Sequence, residues 1–415
     1  MNSGHSRKPA IPSPLWVLVV FVTGIYGSLE AATFTVTRLD DPAPDGCLPI
    51  DCSLREAVID ANGNADADTI VLPAGNYVLT IPPSGGDDPE SGSLDITAQL
   101  TVQGAGARDT VIDGSGLDRI FDVYVSALLV QIDSLTVRNG VRSTGGAGGI
   151  LNRGALLTIS SSTIADNSAP VDGGGLGLAG LNWLYNSTVS GNVAQGDGGG
   201  IKVFGKLTVV NSTVSTNEAG GGGGGIHSTS TASRVDLRSA TIVDNTSDFD
   251  NDGIGDGGGL WSDDGSTVEL SHTIVANNLD LSGEAPDCAR SPISTLDSAG
   301  FNLIGNSTGC PIGGDPTGNL LDVPALIGPL ADNGGPTDTH ALLTASLAID
   351  AGDAAGCNDE DDVPLTTDQR GYIRPTDGNG DASVVCDIGA FESPTMIFTD
   401  GFESGDTSAW STSVP

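Results

Sequence analysis

The amino-acid sequence predicts an all-β chain wound as a right-handed parallel β-helix with a short capping helix near its N-terminus, and three observations predict it. Five segments, "LTISSSTIADN", "WLYNSTVSGN", "LTVVNSTVSTN", "VDLRSATIVDN" and "VELSHTIVANN", close on Asn167, Asn192, Asn217, Asn245 and Asn277. A second marker, GGI or GGL, keeps step with them at Ile150, Leu176, Ile201, Ile226 and Leu260. No unit contains ten or more residues at amphipathic helical spacing, so strand-only coils of ~25 residues, stacked ~4.8 Å apart, satisfy the repeat.

Residues 1–32 read as a secretory signal peptide: Arg7 and Lys8 precede the apolar run "LWVLVVFVTGIY", and Ala31 and Ala32 follow it. The run is shorter than the ~18 apolar residues of a membrane span. Residues 33–130 form an N-terminal cap and first coils. Within them "SLREAVIDAN" predicts a helix, with Ser53 as N-cap, Glu56 completing a capping box, and Leu54, Ala57, Val58 and Ala61 on one apolar face. Such a helix covers strand edges that the first coil leaves open.

Residues 131–280 carry the repeats. Each unit is rich in Thr, Val, Ile and Ser, which suit strands, and is punctuated by Gly and Asn. Leu207 and Val209 alternate, but Val214 lies five residues further on, so a bend at Asn211–Ser212 resets the inward phase. The recurring asparagines predict a ladder of side-chain amides bonded to one another and to bend backbone. Gly220 to Gly225 falls in phase with "VDGGG" and "QGDGGG" of neighbouring units, so this run is a bend of the coil. Residues 281–393 continue as coils and a disulfide-tied cap, and 394–415 form a tail.

The 415 residues carry 16 Lys and Arg against 53 Asp and Glu, a net charge of −37. That balance excludes nucleic acid as a partner and favours divalent cations. Six cysteines without C-x-x-C spacing point to disulfides in an exported chain, and proximity pairs Cys47 with Cys52, Cys288 with Cys310, and Cys357 with Cys386.

"CSLREAVIDAN" resembles the CSLREA domain, and "LADNGGPTDTHALLTASLAIDAGD" with "TDQRGYIRP" and "CDIGAFE" resembles the choice-of-anchor Q region. The GGI and Asn markers resemble the repeats of chlamydial polymorphic outer membrane proteins. The resemblance implies export and a Gram-negative surface setting, while the chain after Asn278 lacks the alternation of a membrane barrel.

Candidate chemistry clusters near the glycine bends. Asp172, Asp197 and Asp256 each stand four residues before a marker, which stacks Asp172 on Asp197 as a catalytic candidate pair; Gly222 interrupts the column. Lys202, His227 and Trp261 directly follow their markers, and strand alternation turns them outward as a candidate sugar-binding stripe. "DFDNDGIGD" offers Asp248, Asp250, Asp252 and Asp256 as Ca²⁺ ligands, without the closing Glu of an EF-hand. Asp377, Asn379 and Asp381 repeat that alternation with fewer ligands, and Asp368 with Arg370 reads as an ion pair.

The expected function is an exported surface or secreted protein with a structural, adhesin-like role towards polysaccharide or cell-surface glycans. The alternative is a polysaccharide lyase or glycoside hydrolase at the Asp172–Asp197 column, with Ca²⁺ as a possible cofactor. A site, not the fold, has to separate the two.

Overall fold

The computed structural model describes residues 31–63, 66–85 and 89–395. The expected signal peptide, 1–32, lies outside the described residues up to residue 30, as does the expected tail, 394–415, from residue 396 onward. The chain forms a parallel β-solenoid. A 17-stranded sheet runs the length of the body, with a ten-stranded sheet beside it and a five-stranded sheet along the central coils from Ser168–Ala169 to Leu279–Asp280.

The repeat explains the register. Ile150, Leu176, Ile201, Ile226, Leu260 and Cys288 pair in one row. Ile164, Val189, Val214, Ile242, Val275 and Ile304 pair in another. These rows point inward and are at most 1% exposed. The bends that reset the phase sit at Ser161, Asn186, Asn211 and Ser239, each with φ between 46° and 50°. A second bend precedes the asparagine ladder, with Asp166, Thr216, Asp244 and Asn277 in the same left-handed region.

This second bend corrects one sequence assignment. The ladder runs Asn167, Asn192, Asn217, Asn245, Asn278, not through Asn277, because Asn277 occupies the preceding left-handed position. Each Oδ1 accepts the backbone N–H and the Nδ2–H of the asparagine before it, at 2.9–3.0 Å. Asp287 ends the ladder by accepting both donors of Asn278 at 3.0 Å. Burial is the main cause that pushes its carboxyl up to about 6.

The helix Leu54–Asn62 has the expected capping box, Ser53 Oγ accepting from Glu56 N and Glu56 Oε2 accepting from Ser53 N at 2.7 Å. It packs on the strands Thr33–Thr35, Asp68–Val71 and Leu94–Ile96 at the start of the solenoid. Inside it Arg55, fully buried, pairs with Asp41 at 2.8 Å. All three disulfides form between the cysteines that proximity pairs: Cys47–Cys52, Cys288–Cys310 and Cys357–Cys386.

Coils continue to Leu320–Leu321. From Ala325 the chain runs back along the outer face of the ten-stranded sheet, where the sequence had predicted a terminal cap. Thr188 Oγ1 donates to Asp338 O, Thr213 Oγ1 bonds Gln369 Oε1 at 2.7 Å, and Thr241 Oγ1 accepts from Ala390 N at 3.0 Å. Val243, Ile274 and Ala276 face outward from that sheet and find their cover in Ala325, Ala348 and Ile388. Arg374 is buried beneath this segment and binds Glu392 Oε2 at 2.8 Å and Asn211 Oδ1 at 2.9 Å. The segment occupies one flank, which leaves the corner of the 17-stranded sheet as the place for a site.

Candidate functional site

The corner is built by the glycine bend and the strand that follows it. Register places Asp95, Asp122, Leu151, Gly177, Lys202, His227, Trp261 and Ala289 in one outward row. Asp172 and Asp197 sit on the adjoining bends, as their 25-residue spacing predicts. Asp197 N donates to Asp172 Oδ1 at 2.9 Å, and Gly222 N donates to Asp197 Oδ1 at 3.0 Å. One oxygen of each aspartate therefore ties neighbouring coils, and the second oxygen faces the corner.

Into that corner folds Lys202. Its Nζ lies 2.8 Å from Asp197 Oδ2, 3.8 Å from Asp172 Oδ2 and 2.9 Å from His227 Nδ1. His227 Nδ1 is itself 3.2 Å from Asp197 Oδ2. Burial raises the Asp197 carboxyl, but the hydrogen bond from His227 and the positive charge of the His227–Lys202 pair outweigh it and hold Asp197 well below the usual carboxylate range. The side chains of Asp172 and Asp197 are 26% and 29% exposed, so the carboxylates open the corner to solvent.

Trp261 roofs the group. Its ring stacks on His227 at 4.5 Å between centroids and 16° between planes. It also lies on Gly222, where a Cβ would overlap the indole Cε3 outright. The missing aspartate at position 222 thus has a steric cause: any side chain there displaces the tryptophan. The expected open stripe needs correction for the same reason. Lys202 and His227 share the row but are 4% and 2% exposed, because Lys202 folds back onto Asp197 and Trp261 covers His227.

Asp256 separates from this group. Burial pushes its carboxyl up, helped by Asp280, Glu284 and Asp263. Of the four carboxylates in "DFDNDGIGD", Asp248, Asp250 and Asp252 bring oxygens within 4.8 Å of one another, and Asp256 does not join them. Buried Asp248 accepts from Asp252 N at 2.9 Å and from Gly253 N at 3.2 Å, so it organises its own loop. Asp377 likewise accepts from Gly380 N and Ala382 N within its own turn. Asp368 and Arg370 form the expected buried ion pair at 2.6 Å, and Asp368 also accepts from Glu392 N at 3.0 Å.

Sequence reasoning missed a second polar group at the start of the same row. Asp122 accepts two bonds from Arg153, at 2.6 and 2.7 Å, and pairs with Arg119. Arg142 binds Asp118 at 2.7 Å. The signal was present, since Asp122 follows Phe121 as Lys202 follows Ile201, but that coil lacks the GGI spelling.

No family model and no curated protein matches the chain. Among solved structures it is similar to pectate lyase Pel9A, with 13% identity over 88% of this chain and 98% of that one, at a TM-score of 0.50. It is also similar to an alginate lyase from Paenibacillus sp. str. FPU-7, with 16% identity over 70% of this chain and 97% of that one, at a TM-score of 0.34. The Pel9A likeness, at that identity, bears on the fold.

Proposed function

We propose that this chain acts outside the cell on an acidic polysaccharide and cleaves it by β-elimination at the Asp172–Asp197–Lys202–His227 corner. The carrying observation is the placement of Lys202 Nζ between Asp197 and His227 Nδ1, at 2.8 and 2.9 Å. Elimination requires a base to take the proton beside a uronate carboxylate and a positive charge to steady the resulting enolate. In the proposed step the Lys202 amine takes that proton. The electron pair left on carbon forms the new double bond, and the glycosidic oxygen departs, protonated by water. His227 supplies positive charge next to the base. The disulfides support an oxidising, extracellular setting, and the structural neighbour named as a pectate lyase agrees with such a substrate class.

Hydrolysis fits less well. It needs one carboxyl kept protonated, and Asp197 is held ionised, well below the usual carboxylate range.

A second reading has its own observation. With Lys202 and His227 buried, the corner could serve glycan binding alone, Trp261 offering a ring face to a sugar; this is the adhesin-like role expected from the sequence. A panel of polygalacturonate, alginate and neutral polysaccharides, with and without Ca²⁺, separates the readings. Unsaturated ends that vanish in Asp197→Asn support elimination; new reducing ends without unsaturation mean hydrolysis; retention of a polymer without cleavage means binding.

A further inference from the structure

The corner holds two basic side chains against one carboxylate oxygen. Lys202 Nζ and His227 Nδ1 lie 2.9 Å apart, and both reach Asp197 Oδ2, at 2.8 and 3.2 Å. At 2.9 Å one nitrogen has to accept. An ammonium has no lone pair, and a protonated Nδ1 has none in the ring plane. An ammonium and an Nδ1–H therefore cannot face each other at this distance. Two arrangements remain: a Lys202 ammonium donating to a bare Nδ1, or a Lys202 amine accepting from Nδ1–H.

We propose that His227 is a positioning residue that shares a single proton with Lys202, so that the pair carries at most one positive charge and Lys202 can present a free amine. The inference deepens the elimination reading above, and its mechanistic use rests on that reading.

The surroundings favour sharing over two full charges. Lys202 and His227 are nearly buried, where two like charges in contact repel strongly. Asp197 Oδ2, 2.8 Å from Nζ and 3.2 Å from Nδ1, with Asp172 Oδ2 3.8 Å from Nζ, steadies the one positive charge on whichever nitrogen carries it. Trp261 covers the imidazole with a π face, which suits a positive ring. Phe204 presents its ring 5.9 Å from Nζ. Asp256, on the next bend, feels Asp280, Glu284 and Asp263 instead of this pair. His227 Nε2 is buried with no hydrogen-bond partner, so a proton placed there is left unsatisfied. Both singly charged arrangements carry that Nε2 proton, so the cost falls on them equally and does not choose between them.

The two arrangements differ by one proton transfer, Nδ1–H to Nζ, with no change in net charge. When Lys202 takes a proton from substrate as a free amine, the imidazolium beside it accounts for the positive charge that elimination requires. A lysine alone cannot be the neutral base and the cation at once.

The test reads the nitrogens directly. In ¹⁵N-labelled protein, assigned with His227→Gln and Lys202→Met variants, the His227 ring nitrogens and Lys202 Nζ are followed across pH. Sharing predicts that all three resonances move together in one step, and that Lys202→Met separates His227 from any such step. A Lys202 resonance that stays ammonium while His227 titrates as an independent ring overturns the proposal. Turnover gives the second arm. His227→Gln, which can still accept from an ammonium, is expected to move the acidic limb of the kcat profile by more than tenfold in proton concentration while leaving KM within about twofold. A uniform fall at every pH assigns His227 a packing role and overturns its positioning role. If wild-type protein cleaves no polymer, the elimination reading fails, and the nitrogen spectra still decide whether the proton is shared.

Discussion

The fit of Trp261 onto Gly222 can be measured by one added methyl group. Gly222 does not need a left-handed backbone, so Gly222→Ala acts through space alone, and the new Cβ overlaps the indole of Trp261. Overpacking of this kind costs about 1–3 kcal/mol. The neighbour that has to give is a ring stacked on His227, which places the expected loss near the middle of that range, about 2 kcal/mol. With Trp261→Ala in the background the clash is gone, and the added alanine becomes neutral or gains about 0.4–1 kcal/mol by restricting the unfolded chain. A double-mutant cycle from urea midpoints therefore predicts coupling of at least about 2 kcal/mol between the two positions. Equal costs for Gly222→Ala in both backgrounds would refute the reasoning, and with it the account of why the aspartate column is interrupted.

Other outcomes follow from the same contacts. Asn217→Ala removes an amide that serves Asn192, Val189 and Asn245, so leaving buried groups unpaired costs about 3 kcal/mol or more; Asn277→Gly, at φ 58°, is expected to change urea stability by under about 1 kcal/mol. His272 Nε2 accepts from Asp353 N at 3.0 Å, and burial, with Arg374 nearby, lowers this histidine from 6.5 to about 4. Its folded value lies below its unfolded one, so its contribution is complete above pH 6.5 and is lost as pH falls to 4, about 3 kcal/mol in all; a wild-type urea midpoint that tracks His272→Gln through that window contradicts this. If the loop at Asp248, Asp250 and Asp252 takes Ca²⁺, millimolar Ca²⁺ raises the melting midpoint and Asp250→Asn with Asp252→Asn abolishes the rise; no heat in a calorimetric titration removes the ion from the account.

Much of this arrangement was legible in the sequence because a solenoid converts spacing into contact. Two markers with one period place Lys202 beside His227 and Asp172 beside Asp197, and the capping box at Ser53 and Glu56 is a local signal that needs no tertiary information. Three things were hidden. The Asn277 and Asn278 doublet is ambiguous until a left-handed bend assigns one of them to the ladder. The burial of Lys202 and His227 depends on a tryptophan one coil away turning back over a glycine, which periodicity does not encode. The return of the C-terminal segment along the ten-stranded sheet depends on outward-facing Thr188, Thr213 and Thr241, whose partners lie ~150 residues later, and strand-scale patterns carry no information at that separation.

The most direct test of the central claim is an ultraviolet time course on the acidic polymer that the protein binds, comparing wild type with Lys202→Met at equal folded concentration. The account predicts steady formation of unsaturated ends by wild type and a loss of at least about 100-fold in the variant, the scale of a removed general base. Binding of the polymer with no unsaturated ends, or equal rates for the two proteins, would contradict it.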